Sequence, residues 1–317
     1  MGLQRVRTMQ RYIVQRLIFI VFSLIGATFL AFAASRLAPG DPLRMMVADR
    51  NLDPAVVAAW EQRYGLDKPI PVQYLYYVKN ALQGDLGTSY HYIGTPVTEI
   101  LGPAMLVTLR WESVGLALAV ILALILGTIS AIKQNTWIDT LTMTVALAGI
   151  SLPDFALATF LIVGFSLKLG WLPVAGFETP LHYVLPIITL AVGPTALLSR
   201  MVRSSMLEVI RQDYMTTARS KGLSERAIIF YHGLRNAFLP ILTIVGILVG
   251  RILSGSFIVE TIFNIPGIGR VGVTAVLQRD YPVILGATII LASAFLITTL
   301  VIDLLYGALD PRIRVSD

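Results

Sequence analysis

The sequence predicts an all-α protein that crosses a membrane several times, and three observations lead there. Hydrophobic residues make up 56% of the 317-residue chain and charged residues 14%. Soluble domains carry about 25% charged residues, so this chain has too few to clothe a water-facing surface. Its apolar residues gather into runs near the length, about 20 residues, that a bilayer-spanning helix needs. The basic residues lie between those runs rather than in one patch, as they do in the cytoplasmic loops of membrane proteins. The formal net charge of +6 therefore does not point to nucleic acid. The absence of cysteine excludes disulfides, cysteine nucleophiles and thiolate metal sites.

Six stretches qualify as spans, at 13–34, 106–132, 138–167, 183–198, 238–259 and 283–305. The charge-free part of the second begins at Ser113. The third holds Pro153, and each half is too short to cross alone. It reads as one helix, kinked where proline removes a hydrogen bond. The fourth is short and interrupted by Pro186 and Pro194. In the fifth, Gly246 and Gly250 have the small-xxx-small spacing that lets helices approach closely, a packing face for this chain or for a partner subunit. Trp111, Trp137 and Trp171 fall at predicted span ends, where aromatic belts form.

Orientation follows from Lys and Arg in the short flanks. Arg5, Arg7, Arg11 and Arg16 precede the first span, and Lys133 follows the second. Arg200, Arg203, Arg211, Arg219, Lys221, Arg226 and Arg235 lie between the fourth and fifth, and Arg312 and Arg314 end the chain. Both termini are therefore expected in the cytoplasm. Ala31-Phe32-Ala33 resembles a leader cleavage site, but the charge-free run 17–34 is longer than a signal core of 7–15 residues, so the first span is expected to stay as an anchor. Three regions result. Residues 1–35 hold the cytoplasmic N-terminus and first span. Residues 36–104 form an extracytoplasmic cap, with a helix over 53–64 opened by Pro54 and turns at 39–42 and 84–89. Residues 105–317 hold the remaining spans and a cytoplasmic loop at about 200–237.

That loop is the most informative part of the chain. Asp213, Tyr214, Thr217, Ala218 and Lys221 belong to a short predicted helix, with the acidic residue at its start and the basic one at its end, as the helix dipole prefers. Gly222 follows in the C′ position that favours a left-handed turn. After Leu223, Ser224 caps a second helix over 225–236, which carries Arg226, Leu234, Arg235 and Asn236. The product is a helix-turn-helix projecting from the membrane, either a solvated hairpin or an element that docks in a groove on a partner. Flanking spans hold it against the bilayer, which argues against DNA.

Here the residues resemble a known family. ATP-binding-cassette importer permeases carry a cytoplasmic loop with Glu-Ala-Ala, three residues, Gly, then nine residues and Ile-x-Leu-Pro. Ala218, Gly222 and Leu234 match it, whereas Thr216, Thr217, His232 and Arg235 depart from it. The departures resemble the dipeptide/oligopeptide branch, which includes nickel and glutathione systems and reads Tyr-x-x-Thr-Ala-Arg-x-Lys-Gly followed by Leu-Arg-Asn-Ala-x-x-Pro. The likeness extends through Pro39-Gly40-Asp41-Pro42, Gly84-Asp85-Leu86-Gly87, Glu260-Thr261-Ile262-Phe263, Pro266-Gly267-Ile268-Gly269-Arg270 and Asp310-Pro311-Arg312-Ile313-Arg314. It is closest in pattern to the first of the two paired permeases.

The resemblance implies a bacterial inner-membrane subunit with no cofactor and no ATPase activity of its own, and the chain lacks the phosphate-loop pattern G-x-x-x-x-G-K-[ST]. It implies a second, homologous permease, two cytoplasmic ATPases that bind ATP and Mg, and an extracytoplasmic solute-binding protein. Loop 213–235 would then insert into an ATPase and rock the helices between inward-open and outward-open states. Solutes handled by such systems include dipeptides, oligopeptides, glutathione and nickel chelates.

Charges in or beside the spans are the other candidates. Arg251, deep in the fifth stretch, either lines the pathway and meets a substrate carboxylate or pairs with a carboxylate nearby. Asp154 accompanies the Pro153 kink, and Glu260 and Asp303 are expected to reach water or headgroups at span ends. His91, His182 and His232 show no metal spacing, and no G-x-S-x-G elbow marks a hydrolase. An ion-driven secondary transporter is the alternative, but it needs ionisable relays in the membrane and gives the hairpin no role.

Overall fold

A computed structural model describes residues 2–37, 55, 58–59, 62, 68–252 and 255–309. The expected turn at 39–42, most of the helix at 53–64 and the tail at 310–314 lie outside the described residues, as do the side chains of Arg251 and Asp303. The helices are α1 (Gly2–Leu37), α2 (Ile70–Leu82), α3 (Val97–Ile132), α4 (Trp137–Ser151) and α5 (Asp154–Leu161, continued by a wide π turn at Ile162–Lys168). A 3-10 turn at Pro180–Tyr183 leads into α6 (Val184–Ile210), and α7 (Asp213–Ser220) follows. Then come α8 (Glu225–Ala227, continued by a π turn at Ile228–Leu234), α9 (Arg235–Ile252), α10 (Phe257–Ile262), α11 (Ile268–Leu277) and α12 (Tyr281–Leu309). Among the described residues there is no strand, only an isolated bridge between Thr88 and Pro96.

Four continuous helical segments are long and apolar enough to cross a bilayer, Ile13–Leu37, Val97–Ile132, Pro180–Ile210 and Tyr281–Ile302. Two further crossings exist if each of two bent helix pairs is one span. The first pair corrects the expectation of a kinked third helix. Trp137–Ser151 and Asp154–Lys168 meet at 105°, which is a break. Pro153 has no N–H to give and forces the residue before it out of the helical region; Leu152 is extended, with φ −85° and ψ 119°. The fourth stretch shows the opposite. Pro186 sits in the first turn of α6, where the N–H groups have no intrahelical partner to lose, and the helix runs on through Pro194. Beyond Leu198 it continues as an amphipathic rod to Ile210.

The core is built on α3 against α6, joined by α9. Leu116, Ala123, Leu198, Val202, Met206 and Ile241 are buried there together. A Cβ on Gly127 would lie 2.6 Å from the Ser199 carbonyl oxygen and 2.6 Å from Val202 Cβ, so glycine lets the two helices touch. Gly127→Val is expected to lose roughly 1–3 kcal/mol, the usual range for overpacking. Gly102→Ala, in the same helix with nothing within 4 Å of the new methyl, should be neutral or slightly stabilising. Thermal unfolding in detergent compares the two. Gly246 packs on α12, where a Cβ would stand 2.8 Å from Ile302 Cγ2. The small-residue face of the fifth stretch is thus used within this chain. That stretch also ends sooner than its hydropathy suggests: α9 is described as far as Ile252, and by Gly255 (φ +72°) the chain has left the helix.

Candidate coupling hairpin and the fasteners around it

The hairpin forms between α7 and α8 as the local sequence dictates. Gly222 has φ +77°, the left-handed region in which a side chain is strained. Its N–H donates to Arg219 O (2.9 Å), and the Leu223 N–H donates to Ala218 O (3.4 Å). These are the two closing bonds of a Schellman turn. Ser224 caps α8, its Oγ accepting from Ala227 N (3.4 Å). Arg219 pairs with Glu225 across the turn at 3.0 Å. Both partners are solvent-exposed, so the pair adds little.

The hairpin has its own core, with Met215, Ala218 and Ile228 buried against Val209 and Ile210. Gly233 keeps that corner tight, since a Cβ there would be 3.2 Å from Met206 Cε. Of the residues singled out in the sequence, Ala218 is therefore internal, and Leu234 packs on the main core. Asp213, Tyr214, Thr217, Lys221, Gly222, Leu223, Arg226, Arg235 and Asn236 are exposed. Thr217 Oγ1 donates back to Asp213 O (3.1 Å), Asn236 Nδ2 donates to His232 O (2.7 Å), and the Arg235 guanidinium lies over Tyr231. Leu223 puts apolar surface at the tip, 44% exposed, and Tyr214 does so at the start of α7, 42% exposed. The second helix does not end at 236. Through the π turn it runs on into α9 with a bend of 57° between Phe238 and Pro240, and on the other side α6 joins α7 through a turn at 211–212, so the hairpin is flanked by a membrane segment on each side.

Four buried carboxylates fasten the elements around this frame: Glu112, whose Oε1 accepts from Ser256 N (2.7 Å), Asp139, Glu260 and Asp280. Of these the sequence singles out only Glu260, among the charges beside the spans. Asp139, 4% exposed, holds Arg203 by two bonds, Nε to Oδ1 and Nη2 to Oδ2, each 2.7 Å. It also accepts from Ser130 Oγ and from Asn135 N (3.0 Å). The turn between α3 and α4 is thereby tied to α6 shortly before the hairpin. The expectation that Glu260 reaches water or headgroups at a span end is corrected. Glu260 is fully buried and accepts from Thr108 Oγ1 and Arg270 N, while Thr108 Oγ1 accepts from Ile268 N (2.9 Å). Asp280 accepts from Ser89 Oγ, Tyr90 N and His91 N, pinning the 85–92 turn to the start of α12. A lone carboxylate in an apolar run was the available signal for Asp139. For Glu260 and Asp280 the partners come from distant segments, and no local pattern announces them. Arg251 lies in α9, one residue after Gly250, which faces Phe295 of α12.

A chain whose described residues are mostly helical, with several bilayer-length helices and a polar hairpin between two of them, is a polytopic integral membrane protein. Residues 119–315 match the family described as binding-protein-dependent transport system inner membrane component, and residues 9–102 match the N-terminal model of such components. The chain belongs to this family and is a permease subunit of an ATP-binding-cassette importer. It is 42% identical to the glutathione transport system permease protein GsiC of Pectobacterium atrosepticum over 306 residues, 96% of this chain and 99% of that one. The corresponding proteins of Salmonella typhimurium and Escherichia coli are 41% and 40% identical with the same coverage. A chain of a crystallised amino acid ABC transporter superposes with a TM-score of 0.50 at 15% identity, covering 68% of this chain and 94% of that one. That likeness concerns the fold alone.

Proposed function

We propose that this permease forms half of an import pathway for small peptides of the glutathione type. In this reading it crosses the membrane six times, with both termini in the cytoplasm and residues 36–104 forming a cap on the outer face. It pairs with a second permease, receives solute from an extracytoplasmic binding protein, and is driven by two ATPases that bind ATP and Mg. Arg251 is retained as the candidate pathway cation, with a paired structural charge as the other reading. The observation that carries the mechanism is the self-cored hairpin with Leu223 exposed at its tip and Tyr214 exposed at the start of α7. The near-full-length identity to glutathione permeases supports the solute class.

In this reading a push on the hairpin reaches α9 across the 57° bend and α6 across the turn at 211–212, and displaces the two helices together. The natural chain has no cysteine, which makes the test direct. Leu223→Cys as sole thiol should crosslink to an ATPase subunit in assembled importer, and the crosslink should block peptide-stimulated ATP hydrolysis. In intact cells it should resist a membrane-impermeant thiol reagent. Labelling of Cys at 223 from outside, or failure to crosslink in an importer that transports normally, would refute the docking role and its orientation.

A further inference from the structure

Between the end of α1, α2, the 85–90 turn and the start of α12 lies a cavity of about 50 Å³, lined by Phe32, Arg36, Tyr77, Asn80 and Tyr281 among others. Arg36 Nε and Tyr77 Oη are buried there with no hydrogen-bond partner. Buried polar groups left unpaired cost about 1–3 kcal/mol each, more when charged, so two in one cavity call for a bound partner rich in acceptors. The Arg36 guanidinium stands over the Phe32 ring at 5.2 Å from its centroid, and Tyr77 stacks on the same ring at 6.1 Å. Both donors are thus held by one aromatic platform.

The location selects the partner. The α1 span covers Ile13–Leu37, 25 residues, or about 37 Å at 1.5 Å per residue, somewhat more than the ~30 Å hydrocarbon core. Arg36, one residue from its end, therefore emerges at headgroup level. Tyr74 of α2 reaches back along α1, with Oη 2.9 Å from Thr28 Oγ1 and 3.1 Å from Ile25 O. The Tyr74 hydroxyl thus meets α1 near the middle of its span and the ring packs on Phe29 and Phe32, so α2 lies against the C-terminal half of α1 rather than beyond its end. Phe29, Leu30 and Leu37 of α1 and Ile70, Leu75 and Leu82 of α2 are exposed beside the cavity's helices, an apolar surface suited to acyl chains. Asp85 also lines the cavity, its Oδ1 accepting from Gly87 N. A carboxylate there disfavours a free phosphate dianion and suits a phosphodiester that carries its own ammonium group.

We propose that this cavity is a binding site for the phosphodiester headgroup of a zwitterionic membrane phospholipid of the phosphatidylethanolamine type, with Arg36 and Tyr77 as its donors. The lipid fills a wedge between α1, α2 and α12, tying the first span to the rest of the subunit. The inference requires that α1 crosses the bilayer and does not depend on which solute is transported.

The test is native mass spectrometry of the delipidated importer complex titrated with phosphatidylethanolamine, diacylglycerol or inorganic phosphate. One phosphatidylethanolamine should be retained at activation energies that strip the others, and diacylglycerol should not be. Loss of one charge-assisted hydrogen bond should weaken retention roughly tenfold in Arg36→Gln and in Tyr77→Phe. Tyr77→Phe keeps the stacked ring, so it decides the matter if Arg36→Gln disturbs folding. Unchanged retention in Tyr77→Phe would overturn the proposal, as would equal retention of diacylglycerol. Displacement of the lipid by millimolar inorganic phosphate would assign the site to a free anion instead.

Discussion

Ala218→Asp is expected to melt the cytoplasmic hairpin and abolish transport, leaving the membrane segments inserted. Ala218 is 7% exposed and packs with Met215 and Ile228. An unpaired carboxylate there costs several kcal/mol unless it escapes to the surface. Escape would break α7, a helix of eight residues that owes its stability to packing, since isolated helices this short are marginal in water. Gly222→Val should act more mildly, through backbone strain of about 1–2 kcal/mol at a left-handed residue, because nothing lies within 4 Å of the new Cβ. Leu223→Asp separates folding from docking. Leu223 is 44% exposed, so its loss should change stability by no more than about 0.5 kcal/mol while placing a charge on the apolar tip. Hydrogen exchange over 213–228 and co-purification of the ATPase read the two effects independently. The expected pattern is fast exchange and lost ATPase for Ala218→Asp, and slow exchange with lost ATPase for Leu223→Asp. If Leu223→Asp retained the ATPase in full, the tip would not be the contact.

The contrast between those variants also shows what the sequence could and could not reveal. Gly222, Ser224 and the charges of α7 specify the turn through local chemistry, and the turn closes as their identities require. Hydrophobic runs likewise locate the membrane segments, because the property they report, transfer of about 20 residues into hydrocarbon, is local. Proline was ambiguous for a physical reason. Pro153 breaks a span while Pro186 opens one harmlessly, and the difference lies in whether the preceding turn already has hydrogen bonds to lose. The sequence placed Ala218 on a buried face of α7, but what buries it was not legible. Ala218 is buried by Ile228 and by Val209 and Ile210, residues that reach it only after the chain has reversed. The carboxylate fasteners are the extreme case, since the partners that join separate elements are 64 to 191 positions away in sequence.

Breaking the Asp139–Arg203 pair is expected to be the most damaging single change outside the hairpin. The pair is bidentate at 2.7 Å, with side-chain exposures of 6% for Asp139 and 25% for Arg203. Removing one partner of a buried pair strands the other charge, at a cost of about 3–5 kcal/mol; the partial exposure of Arg203 places this case near the lower end. Asp139→Asn has a single acceptor oxygen, so it can accept at the Ser130 position or at the Asn135 position but not at both, and it leaves the guanidinium without a counter-ion and facing an amide NH2. Arg203→Met leaves a carboxylate that still has those two donors, so it should be the milder of the singles. The double variant removes both charges and should recover much of the loss, since pairs replaced by apolar groups are often neutral. Thermal unfolding in detergent supplies this cycle, and a coupling energy near zero would deny that the pair holds α4 to α6. Peptide transport per ATP hydrolysed gives the functional half. The clamp ties the α3–α4 turn to the part of α6 that leads into the hairpin, so a double variant of restored stability should still transport less per ATP. If its transport ratio matched the unmodified protein, the clamp would be a stabilising contact with no share in transmitting the hairpin's movement.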